Sequence, residues 1–102
     1  QGENKMETIL NKKDMGCWID GAFGADHRNK ILIHFICTFQ NKTNNGNRSI
    51  INGLLSKDQE IVYDAVDDAV DFLNSLCNDD VEFFWVDGDL ILSTCELIGE
   101  YN

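Results

Sequence analysis

The chain has 102 residues, 43% of them apolar, and carries eight Lys or Arg against eighteen Asp or Glu, for a formal charge of −10. A length of this order supports one domain burying roughly 60 to 65% of its unfolded surface, and the apolar content excludes a disordered chain. The charge argues against direct nucleic-acid binding and against an anionic membrane, since both call for basic surface.

The charge is also divided along the chain. All eight bases lie at or before Lys57, whereas residues 58–102 hold thirteen acids and no base. Side chains of residues 1–57 therefore sum to +3 (eight bases, five acids) and those of 58–102 to −13, which together give −10. Such a molecule is expected to present its acidic half to a basic protein surface.

In chain order, Gln1-Gly2 resembles the remnant of a cleavable tag, so the single domain is assigned to residues 3–102. Met6 to Leu10 reads as a short strand or the start of a helix. From Gly16 to Ala25, glycines at 16, 21 and 24 alternate with Trp18, Ile19 and Phe23, the pattern of a structured loop pinned to the core by its aromatics. Asp26 then caps a predicted helix from His27 to about residue 40. Ile31, Leu32, Ile33, Phe35, Ile36 and Phe39 make that helix apolar nearly all round, which calls for a central position. The four asparagines and Gly46 between Asn41 and Asn47 predict a mobile loop, followed by a short helix or turn from Arg48 to Leu55.

Ser56 and Gln59 have capping-box spacing and open a helix running to Cys77. Ile61, Val62, Ala65, Val66, Ala69, Val70, Phe72, Leu73, Leu76 and Cys77 fall on one half of it. Asn78-Asp79-Asp80 ends the helix, and Asp87-Gly88 suits a type I′ turn joining strands Val81 to Val86 and Asp89 to Cys95. In that register Val81, Phe83, Trp85, Leu90, Leu92 and Thr94 share the core face. Glu82, Phe84, Val86, Ile91 and Ser93 face the other way, and Phe84, Val86 and Ile91 form a candidate oligomer face, as in a homodimer.

The expected fold is α+β: a single compact domain with two main helices packed on a small antiparallel sheet that includes the C-terminal hairpin. Two strands make a marginal sheet, so a third is expected from the N-terminal segment, from the Leu97 to Tyr101 tail, or across a dimer.

The first functional candidate is the acidic stripe opposite the apolar half of the predicted helix. Glu60, Asp64, Asp67, Asp68 and Asp71 fall within about 100° of arc at 3.6 residues per turn, and Asp79, Asp80 and Glu82 gather beyond its end. Carboxylates spaced along a rigid helix imitate nucleic-acid phosphates and are drawn to a basic groove. The corresponding bland reading is a solvated face that keeps the protein soluble.

The second candidate is Cys17 with His27, flanked by Asp20, Asp26 and Arg28, because an imidazole can take a thiol proton. Against it stands a plain loop closed by the Asp26 cap; the Gly21 to Gly24 stretch lacks the Lys-Ser/Thr of a phosphate loop. His34, inside an apolar run, reads as a core histidine. Cys17, Cys37, Cys77 and Cys95 have neither zinc-site nor redox-motif spacing, Asp87 and Asp89 lack the partners of a calcium loop, and no metal or cofactor is expected. No leader and no long apolar run are read, which points to a cytoplasmic protein, so the Asn41 and Asn47 glycosylation patterns carry no weight. The expected function is a noncatalytic acidic binding module, an inhibitor of the anti-defence or immunity type that docks on a basic nucleic-acid-handling protein. A structural subunit and a small Cys/His enzyme are the alternatives.

Overall fold

A computed structural model describes residues 9–43, 47–94 and 96. Helices α1 (Gly24–Thr43), α2 (Arg48–Leu54) and α3 (Gln59–Ser75) combine with strands β1 (Gly16–Ile19), β2 (Glu82–Val86) and β3 (Asp89–Ser93). The sheet is antiparallel in the order β1-β3-β2, so the last strand in the chain is the central one. The α+β architecture and the C-terminal hairpin are as the sequence predicts.

The third strand is β1, inside the segment expected to be a loop. Gly16 pairs with Leu92, Cys17 with Ile91 and Ile19 with Leu90, which leaves Trp18 as one extra residue on the edge strand. This bulge lets consecutive side chains face the core. Ile19 is fully buried, and Trp18 packs edge-on between Phe35 and Phe83 with ring centroids 4.9 Å from each. The Trp18 indole N–H donates to the Asp14 carbonyl at 2.9 Å, which satisfies the one polar group of the ring. Phe23, expected to pin the segment, is instead 68% exposed.

Glycine is required where this segment meets the hairpin. A Cβ on Gly21 would lie 2.6 Å from the Gly88 carbonyl oxygen, and the Gly21 N–H donates to Asp89 Oδ1 at 2.7 Å. Asp87 (φ 52°) and Gly88 (φ 89°) both have the left-handed backbone of a type I′ turn. The hairpin register pairs Phe83 with Leu92 and Trp85 with Leu90, and Val81, Phe83, Leu90 and Leu92 are buried as expected. Trp85, at the turn end of β2, remains 41% exposed.

Helix α1 starts three residues before the predicted His27. The caps differ accordingly: Asp20 caps a 3-10 turn at Gly21–Phe23, and Asp26 lies within the first turn of α1. The helix is not central: among its residues with described side chains only Leu32 and Ile36 are fully buried, while Cys37 and His34 are exposed. His34 is thus no core histidine. At the start of α3 the cap is Asp58, whose Oδ1 accepts from Glu60 N at 3.0 Å, while Ser56 Oγ accepts from Asp58 N. A carboxylate caps as well as a hydroxyl and adds a favourable charge at the positive end of the helix.

Helix α3 supplies more of the core than any other element, through Val62, Ala65, Val66, Ala69, Val70, Phe72 and Leu73. Gly53 of α2 lets the two helices meet closely, since a Cβ there would come within 2.7 Å of Ala65 Cβ. The end of α3 is tied to the N-terminal segment: the Ile9 and Leu10 N–H groups both donate to the Leu76 carbonyl, and Asn78 N–H donates to the Leu10 carbonyl. Met6 to Thr8, residues 44–46 of the predicted loop, Cys95 and the Leu97 to Tyr101 tail lie outside the described residues.

Candidate functional site

The buried half of α3 determines what its other half presents. Glu60, Asp64, Asp67, Asp68 and Asp71 are all exposed, on a helix whose opposite side is anchored in the core. From Glu60 to Asp71 the helix rises about 16 Å, and the five carboxylates follow one another at axial steps of roughly 6, 4.5, 1.5 and 4.5 Å, an average of about 4 Å. The corresponding spacing along one nucleic-acid strand is about 3.4 Å.

Two apolar side chains border this face. Tyr63 is 58% exposed and Ile61 49% exposed. Ile61 departs from its predicted core position, and its place on the helical wheel explains why: it lies about 20° beyond Asp68, at the rim of the apolar half. Tyr63 lies about 40° beyond Asp67 on the other rim. The pattern that located the acids therefore contained both residues.

Asp79, Asp80 and Glu82 are also exposed, beyond the end of α3. Asp79 and Asp80 line a cleft of about 300 Å³ together with Lys12, Thr94 and Glu96, so a base from the N-terminal half stands among acids of the other half. Phe84 and Val86 are half-buried, and Ile91 is 5% exposed. A second copy docking on the outer sheet face would meet Phe84 and Val86 with little of Ile91.

The Cys17 and His27 arrangement lacks the features of an activated thiol. Cys17 is exposed on β1, and its Sγ donates to the Ile19 carbonyl at 3.4 Å. Desolvation, together with the charges of Asp89 and Asp20, pushes the thiol above its ordinary value. The His27 ring lies 5.0 Å from that of Phe23, centroid to centroid. A thiolate is thus disfavoured at Cys17, the reverse of what nucleophilic catalysis needs. Among the described residues no group of three or more His, Cys, Asp or Glu is placed to hold a metal ion, and no helix is long and apolar enough to cross a membrane.

No family model matches the chain, and neither a curated protein nor a solved structure is significantly similar to it.

Proposed function

We propose that the protein is a noncatalytic binding module that presents the acidic face of α3 to a basic groove on a nucleic-acid-handling protein, as a small inhibitor would. The observation that carries this reading is the exposure of five carboxylates on one side of a helix whose other side is core. A helix held in this way keeps its charges in fixed positions, so little conformational entropy is lost when they dock. Attraction between opposite potentials speeds encounter and selects basic partners, and it weakens steeply with salt. The rims at Ile61 and Tyr63 add apolar area beside the charges.

The test is capture of a nucleic-acid-handling protein on the immobilised chain, followed by elution with a single-stranded oligonucleotide and with salt. Both should release the partner from the wild-type protein, and the Asp64→Lys/Asp68→Lys double variant should capture little at low salt. Equal capture by that variant overturns the proposal.

A further inference from the structure

The first turns of α1 and the junction between α2 and α3 enclose a cleft of about 260 Å³. Its floor includes buried Leu54 and Val62, and its rim carries Leu55, which is 66% exposed. The charged side chains that line it are Arg28, Lys30 and Asp26, a local sum of +1 in a chain of −10. The cleft that holds Lys12 against Asp79, Asp80 and Glu96 sums to −2.

Arg28 is held in place. Its Nε donates to Asn29 Oδ1 at 3.0 Å, which orients a guanidinium whose remaining nitrogens form a planar donor fork suited to carboxylate or phosphate. Ala25 and Gln59, in the opening turns of α1 and α3, also line the cleft; Asp26 and the Asp58 cap already face those positive helix ends, so the side chains of Arg28 and Lys30 supply its positive charge. The long-range field of the acidic half opposes an anion, but at physiological ionic strength charges beyond about 8 Å are largely screened. Arg28 and Lys30 then dominate within the cleft.

We propose that this cleft binds a small organic anion, with its carboxylate or phosphate on Arg28 and Lys30 and its apolar body against Leu54, Leu55 and Val62. The volume lies just below the roughly 300 to 1,000 Å³ of sites for drug-sized ligands, which fits a body of about one ring. This site is separate from the acidic face of α3, and neither proposal depends on the other.

The experiment is an amide-resonance titration of the full ¹⁵N-labelled chain at physiological ionic strength, with benzoate, phenyl phosphate and inorganic phosphate as separate probes. Saturable shifts at Ala25, Asn29 and Gln59 are expected with benzoate or phenyl phosphate, and the tighter of the two identifies the anion class. Inorganic phosphate, without the apolar body, should bind at least tenfold more weakly. The Arg28→Ala/Lys30→Ala variant should lose at least tenfold in affinity, and so should Leu55→Asp, which alters only an exposed rim position should the double variant fail to fold. Shifts that do not saturate, equal affinity in either folded variant, or equal binding of inorganic and phenyl phosphate overturn the proposal.

Discussion

Cys77 is half-buried just past the end of α3, and its Sγ donates to the Leu73 carbonyl at 3.5 Å. Burial first, then the charges of Glu82 and Asp14, push its thiol from 9.0 up to about 11. A raised value means that the folded chain keeps this proton after the unfolded chain has lost it. The associated stability is complete below pH 9 and is lost as pH rises towards about 11. Urea midpoints measured across that window should fall more steeply for the wild-type protein than for Cys77→Ala. Equal slopes would show that this thiol is not the group responsible. Other details at this scale depend on partners distant in the chain: Gly21 needs to be glycine because of Gly88, and sequence reading could identify it only as one glycine among several.

Among the elements, α3 and the hairpin were legible because their signals are local and redundant. The 3.6-residue apolar period placed Val62 to Leu73 in the core, and Asp87-Gly88 marked its own turn. Strand β1 was not legible: it has four residues, begins with a glycine at φ 141°, contains a bulge, and pairs with residues more than 70 positions later. The one-sided packing of α1 was hidden because partly buried Ile31, Ile33, Phe35 and Phe39 look in sequence like fully buried residues. The acidic face was legible as a set of positions, since its exposure follows from the burial opposite. That face carries five like-charge pairs at spacings of three or four residues, each worth a few tenths of a kcal/mol of repulsion. Four of the five include Asp64 or Asp68. Asn has about the helix propensity of Asp, so the Asp64→Asn/Asp68→Asn variant isolates the charge term. It should be more stable than the wild-type protein by about 1 to 2 kcal/mol at low salt, read from urea unfolding at constant slope. A variant no more stable than wild type would mean that the carboxylates are compensated in the fold. A gain in stability accompanied by lost partner binding would mark a surface whose charge serves binding at the expense of stability.

For the molecule as a whole, two electrostatic effects compete. The +3 and −13 halves attract each other, and the thirteen acids of the second half repel one another. Their balance can be read from salt, because screening removes the long-range part of both. The radius of gyration is 13.9 Å, well inside the Debye length of about 30 Å at 0.01 M, so at that ionic strength most charges act on one another. At 0.5 M the screening length is only about 4 Å, and interactions across the molecule vanish. Thirteen acids contain many more repulsive pairs than an excess of three bases can offset, and five of those acids share one helix face. Repulsion should therefore win, and the urea midpoint at pH 7 should be higher in 0.5 M than in 0.01 M sodium chloride. The increase should shrink in the Asp64→Asn/Asp68→Asn variant, because part of the screened repulsion is already gone. A midpoint that falls with added salt would show that attraction between the two halves dominates, with Lys12 among Asp79, Asp80 and Glu96 as the first place to look for it.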